Sequence, residues 1–234
     1  MAVAHDTSTR FPAGDPAPNL NNVDTTSGDR SFTHTPSGTP AGVVAVVTSD
    51  AASQPCTGVT YGGISMTLRA SSTDTSETGS VHVWTLTDVA IPTGAQTVVL
   101  QGCLTSGKFA TISTVTSSTD LTTYVGASSR NTTLAAANNL SVVITLEAML
   151  YGGIHSGQAA VASVTVIANY TAQNNTDYGI HCAVTSRSTS PLLPGTVTYG
   201  FNQGSDDHCM AVAAVAELAP PRYAVTSFQN PAVI

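Results

Sequence analysis

The chain has 234 residues, of which 41% are hydrophobic and only 9% charged, and its formal net charge is −7. That length carries one large β-domain with a substantial core, or two small ones. Lysine occurs once, at Lys108, and the seven basic residues are scattered, which argues against nucleic acid or an anionic membrane as partner because phosphate contacts need clustered Lys and Arg.

Residues 1–30 hold Pro12, Pro16 and Pro18 with Asp6, Asp15, Asp24 and Asp29, and show no apolar periodicity. Such a segment cannot bury enough surface to offset its chain entropy alone. It reads as an extended assembly arm lying on a neighbour, with an arm folded back on its own domain as the rival reading. No apolar core of a secretory signal appears in it, and no apolar run approaches the ~20 residues that span a bilayer as a helix. Synthesis and assembly in a cytoplasm are therefore expected, with Cys56, Cys103, Cys182 and Cys209 as buried thiols rather than a disulfide framework.

The body is expected over residues 31–218. Ser31–Thr35 begins it as a strand, and Gly42–Val47 is apolar on both faces, the mark of a central, fully covered strand. Val59–Gly102 then packs three strand signals into one stretch. Ile64, Met66 and Leu68 alternate with Ser65, Thr67 and Arg69 after a Gly62-Gly63 turn. Val81–Leu86 carries the only tryptophan, Trp84, and Gln96–Leu100 follows a Pro92-Thr93-Gly94 turn. Ser71–Gly79 between them reads as a polar, acidic loop tip.

Phe109–Thr116 is the next strand, and residues 119–134 read as largely irregular, with a short strand possible at Leu121–Val125. Leu140–Met149 predicts one strand, since Val142-Val143-Ile144-Thr145 outweighs the helix formers after it. Gly152-Gly153 reads as a second paired-glycine turn. Strands are further expected at Val161–Tyr170, Tyr178–Thr185, Thr196–Phe201 and Cys209–Glu217, the last apolar on both faces and a candidate neighbour of Gly42–Val47 in one sheet. Residues 219–234 form a tail with Tyr223, Phe228, Val233 and Ile234, too apolar to hang in water and expected to dock. The expected class is all-β, a two-sheet antiparallel β-sandwich of jelly-roll type with an N-terminal arm and a C-terminal tail.

FTHTPSGTPAGVVAVV at 32–47, VTYGG, IPTGAQTVVL, IHSGQ at 154–158 and CMAVAAVAEL follow one another in this order. In these segments the chain resembles a family of jelly-roll-like β-sandwich proteins of tailed-phage virions and related bacterial surface domains. The resemblance covers about residues 32–218 and rests on turns and core strands. It implies a non-enzymatic virion structural protein of a bacteriophage, a capsid decoration or cement subunit. Such a subunit would bind the major capsid protein and neighbouring copies of itself on the capsid exterior, as a homo-oligomer. The alternative it implies is a tail, fibre or adhesin module binding host-surface glycans. Arg10, Phe11, Pro12 and Leu20 of the arm and Tyr223, Phe228 and Ile234 of the tail are the residues expected to meet a partner.

Chemistry-bearing clusters are weighed against plain structural roles. His181-Cys182 and His208-Cys209 carry zinc-type ligands, but neighbours on a strand point to opposite faces and no C-x-x-C spacing occurs, so core cysteines and outward histidines are the expectation. Asp74 and Glu77 read as a solvated loop rather than a glycosidase pair. Asp206-Asp207 lacks the spacing of a calcium loop. His155 reads as a loop or strand-end residue. Trp84, Tyr61 and Tyr151 could stack a sugar, with a core role favoured for Trp84. No catalytic, cofactor or metal residue is assigned.

Overall fold

The computed structural model describes residues 3–13, 23–76, 78–87, 90–118, 120–158, 163–178 and 181–218, with the side chains of 123–137, 177 and 205 left aside. The strands are β1 (Ala4–Phe11), β2 (Gly28–His34), β3 (Gly42–Ser49), β4 (Gly58–Tyr61), β5 (Ile64–Ser65), β6 (Thr67–Asp74), β7 (Gly79–Leu86) and β8 (Gln96–Cys103). They continue with β9 (Lys108–Thr116), β10 (Leu121–Ile144), β11 (Ala148–Ser156), β12 (Thr165–Val166), β13 (Tyr170–Asp177), β14 (Cys182–Ser188) and β15 (Gly195–Glu217). The protein is all-β, and no α-helix occurs among the described residues. In place of two sheets the described residues form three, ordered β1-β9-β3-β7-β6, β10-β15-β11-β14-β13 with β12 also on β15, and β2-β8-β4-β5.

The sheets stack in layers, and side-chain parity shows how. Val43, Ala45 and Val47 of β3 pack with Tyr61, Val98 and Leu100 of the four-stranded sheet. Val44 and Val46 point the other way, onto Met149, Tyr151, Ala211 and Ala213 of the six-stranded sheet. β3 is thus covered on both faces, as its unbroken apolar run predicts. β15 behaves likewise, with Cys209, Ala211, Ala213 and Val215 facing the five-stranded sheet over β6 and β7, and Met210, Val212, Ala214 and Ala216 facing a third core. The two runs therefore lie in different, stacked sheets and are not neighbours in one sheet. Each fully buried Val or Leu contributes about 1.5–3 kcal/mol, so doubly covered strands carry much of the stability of a chain this rich in Ser and Thr.

The third core exists because β10 and β15 form one long antiparallel pair, running from Leu121↔Glu217 to Ile144↔Gly195 with register shifts between Asn131 and Ala137. Beyond the shifts, Leu140, Val142, Tyr199 and Phe201 pack over Ile154, Met210 and Val212. Residues 119–134, expected to be largely irregular, thus lie mostly within a strand: Thr and Ser suit an extended backbone once a partner supplies the ladder. Leu140–Met149 is two strand ends, since the chain bends at 145–147 between β10 and β11. Of Val161–Tyr170, only Thr165–Val166 and the first residue of β13 are strand among the described positions.

Ile64–Arg69 divides at Met66, which is buried where the chain passes from the four-stranded to the five-stranded sheet. Its amide donates to the Val59 carbonyl at 2.8 Å. Gly62 and Gly63 turn β4 into β5 as expected, with φ of 56° and 81°. Gly152 and Gly153 do not turn. They lie in mid-β11, where a Cβ on Gly152 would sit 2.3 Å from the Ala211 carbonyl oxygen, so these glycines allow close backbone approach.

The N-terminal segment is not an arm along its described strand. β1 pairs with β9, and Phe11 stacks on Phe32 with ring centroids 4.8 Å apart. Residues 24–26 are held by Lys108, whose buried ammonium donates to the carbonyls of Asp24 (2.9 Å), Thr26 (2.9 Å) and Leu104 (2.8 Å). Asp24 in turn pairs with Arg30. Backbone hydrogen bonds thus supply the burial that its composition alone does not.

Candidate functional site

Between the five- and six-stranded sheets the apolar layer ends and a polar seam begins. Its neutral part is a network of short side chains. Thr111 Oγ1 lies 2.8 Å from Thr185 Oγ1, Asn174 Nδ2 donates to Thr111 Oγ1 at 2.9 Å, and Gln173 Nε2 donates to Ser8 and Ser113 at 2.7 and 2.8 Å. Ser8, Thr111, Ser113 and Thr185 are therefore turned inward, hydrogen-bonding one sheet to the next.

The titratable part follows from strand parity. Val44 and Val46 set the face of β3 that meets the six-stranded sheet, and Thr48 and Asp50 continue that face past the apolar run. Met149 and Tyr151 do the same for His155 on β11. His181 stands just before β14 and reaches the same point. Asp50 Oδ1 is 2.9 Å from His181 Nδ1 and 3.8 Å from His155 Nε2, and the two imidazole centroids are 5.5 Å apart. One ligand-type atom from each of the three lies within 4.8 Å of the others.

The cluster is inset. The His155 side chain is fully buried, and neither of its ring nitrogens has a hydrogen-bond partner. The Tyr178 ring centroid is 5.5 Å away, held by a 2.9 Å contact between its hydroxyl and Thr48 Oγ1. On the facing strand Gly79 leaves the space the imidazole occupies. The Asp50 side chain is 29% exposed and forms the mouth, its backbone fixed by a 2.8 Å hydrogen bond to the Gly107 carbonyl.

Burial lowers the His155 pKa, partly opposed by Asp50, so the imidazole stays neutral. Burial alone would raise the Asp50 carboxyl, but the two histidines beside it outweigh that and hold it below its usual value. Burial also raises the Tyr178 phenol. An ionised carboxylate thus faces a neutral imidazole in a partly dry recess, a donor set for a cation or a proton. A groove of about 520 Å³ lined by Thr39, Pro40, Ala41, Ile91, Asp120 and Leu121 offers one carboxylate and no such grouping.

The residues singled out from sequence are placed as follows. Arg10 donates from Nη1 to the Asn175 carbonyl at 2.5 Å and lies 5.3 Å from the Phe109 ring centroid. Phe11 is buried in the core between the four- and five-stranded sheets, so it is turned from any partner. Pro12 follows it, partly buried. Leu20, Tyr223, Phe228 and Ile234 lie outside the described residues, as does Glu77. Asp74, expected on a solvated tip, is buried at the end of β6, because Ser71–Gly79 is mostly strand on either side of a tight hairpin.

Asp206 accepts from Gln158 Nε2 at 2.8 Å. His181 and His208 are buried and not outward, since both faces of the six-stranded sheet are covered near them. All four cysteines are buried, and none is joined in a disulfide. Trp84, Tyr61 and Tyr151 are buried in core layers and offer no sugar platform. Sequence reasoning named His155 and His181 separately and missed Asp50. The available signal was the continued parity Val44, Val46, Thr48, Asp50, but no local spacing joins residues so far apart in the chain.

No known family model matches the chain, and neither the curated proteins nor the solved structures contain a match.

Proposed function

We propose that this chain is a non-enzymatic structural protein of a tailed-phage virion, a capsid decoration or cement subunit that binds the major capsid protein on the shell exterior beside copies of itself. The observation that carries the reading is how few charges the chain has, some of them withdrawn into the core. The only lysine is fully buried, Asp24, Asp74 and Asp207 are buried, and Arg10 is engaged within the chain. With only 9% charged residues in the chain, against roughly 25% in an average soluble protein, the outer face is poor in charge, and it exposes Leu193 (73%) and Val143 (57%) close to the Ile144–Gly195 pair. Charge-depleted surfaces with isolated large apolar side chains suit lasting apposition to other subunits.

Since β1 belongs to the body, stapling of neighbouring subunits falls in this reading to residues 219–234, with Tyr223, Phe228 and Ile234. The jelly-roll assignment belongs to the same proposal, through the resemblance of residues 32–218. The glycan-binding alternative loses its aromatic platform with the burial of Trp84, Tyr61 and Tyr151.

The test is to locate the chain on intact particles by cryo-electron microscopy and to add back full-length and 1–218 forms to stripped shells. Density on the capsid exterior, with weaker rebinding of the truncated form, supports the proposal. Density on the tail favours the fibre reading, and absence from particles overturns both.

A further inference from the structure

We propose that Asp50, His155 and His181 bind one divalent transition-metal ion of the Zn²⁺ type, with a remaining coordination position open to water at the Asp50 mouth. The geometry is the first support. Zinc ligands of N and O type sit at about 2.0–2.2 Å from the ion, which sets tetrahedral donor atoms about 3.3 Å apart. The contacts of 2.9 and 3.8 Å from Asp50 Oδ1 bracket that spacing, and all three donors fall within 4.8 Å.

The second support is independent of the spacing. A 2.9 Å His181–Asp50 contact is satisfied as a simple hydrogen-bonded pair, and that reading leaves His155 unexplained. Its imidazole is fully buried, aimed at the same carboxylate, and without a hydrogen-bond partner on either nitrogen. An orphaned buried polar group costs about 1–3 kcal/mol, and Gly79 is needed merely to admit this ring. A metal ion supplies the partner that the protein does not.

The ligand chemistry decides which ion. Two imidazoles and one carboxylate favour zinc and its first-row neighbours over Ca²⁺ or Mg²⁺, which want six or more oxygens or several retained waters. The ligands come from the residue after β3, from β11 and from the residue before β14, so the ion would pin the two sheets together where the apolar layer stops. This stands apart from the virion proposal and holds or fails on its own.

The experiment uses the full-length, untagged chain, stripped with a chelator and titrated with Zn²⁺ by calorimetry, with Co²⁺ as a spectroscopic probe. One equivalent should bind, Tm should rise with the logarithm of free Zn²⁺, and Co²⁺ should give the visible bands of a low-coordinate N/O site. Asp50→Asn should weaken binding by about tenfold or more, His181→Gln likewise, and His82→Phe, outside the cluster, should leave it unchanged. Ca²⁺ and Mg²⁺ should not compete. Absence of one-equivalent binding overturns the assignment, as does binding indifferent to Asp50→Asn. A thiolate charge-transfer band with Co²⁺ would place the ion on cysteine and overturn it too. The Co²⁺ spectrum of the wild-type chain keeps the test decisive if a histidine variant does not fold.

Discussion

Gly79 on β7 and His155 on β11 occupy complementary halves of one space: a Cβ added to Gly79 would lie 1.9 Å from Nδ1 of His155 and 2.4 Å from its Cγ and Cε1. Real Cβ atoms do not approach so closely, and the ring is packed on its other side by Tyr178. Gly79→Ala must therefore push the imidazole off Asp50 or part the two sheets. Overpacking of this kind costs about 1–3 kcal/mol. The expected result is a lower urea midpoint with the metal affinity of the cluster lost, while Gly94→Ala, at an open turn with nothing near its Cβ, should retain that affinity. Unchanged affinity in Gly79→Ala would contradict the packing described here.

Lys108 is the one lysine, and it is spent on backbone carbonyls. Its ammonium ties residues 24–26 to the 104–106 turn through contacts of 2.8–2.9 Å, with Ser106 at 3.4 Å. Lys108→Met keeps the apolar stem but leaves buried acceptors without a donor, so a loss of about 3–5 kcal/mol is expected by chemical denaturation. A second readout needs no variant. An amine-reactive ester should leave Lys108 unmodified in the native protein and acylate it after denaturation, as read by peptide mass spectrometry. Rapid native labelling would sink this account.

How far the fold is legible from sequence depends on whether a signal is local. Gly42–Val47 and Cys209–Glu217 announce strands covered on both faces, and both are. Gly62-Gly63 announces its hairpin because positive φ is a property of the turn itself. Gly152-Gly153 carries the same letters with the opposite meaning, since its reason is the Ala211 backbone far along the chain. The β10 stretch reads as irregular because Thr, Ser and Asn gain strand structure only from β15. The polar seam is illegible for the same reason: composition cannot say whether a threonine faces water or another threonine.

Gly152 gives that distinction a measurement. A methyl group there meets the Ala211 carbonyl oxygen at 2.3 Å and the Tyr199 hydroxyl at 2.8 Å. The first contact is backbone and cannot swing aside, so Gly152→Ala has to break the β11–β15 ladder locally. A loss above about 3 kcal/mol, or failure to fold, is expected. Gly63→Ala, at an open hairpin position with φ of 81°, should cost only about 1 kcal/mol from the strained backbone. Equal losses at the two glycines would return Gly152 to the role of an ordinary turn residue.

Acid sensitivity should come first from histidines and only later from carboxylates. Burial lowers His82 and His208 from 6.5 to about 4, and His5 and His34 shift the same way, again chiefly through burial. A histidine held neutral in the fold takes up its proton more readily when unfolded. The unfolded state therefore binds more protons between pH 6.5 and 4, and stability falls as pH drops through that window, by about 1.4 kcal/mol per pH unit for each fully affected histidine. Asp6 and Asp24, whose carboxyls lie below their usual value despite the upward pull of burial, hold their contribution until lower pH. His82 isolates the effect, because neither ring nitrogen has a hydrogen-bond partner and it lies on the opposite face of β7 from Gly79. His82→Phe removes one proton-binding group and two unsatisfied buried atoms, and the relief of those atoms offsets the packing of a ring one atom larger. Its urea midpoint should match or exceed the wild type at pH 7 and decline less steeply between pH 6.5 and 4, the remaining slope belonging to the other histidines. A variant whose decline runs parallel to the wild type would show that His82 is protonated as readily in the fold as in the unfolded chain.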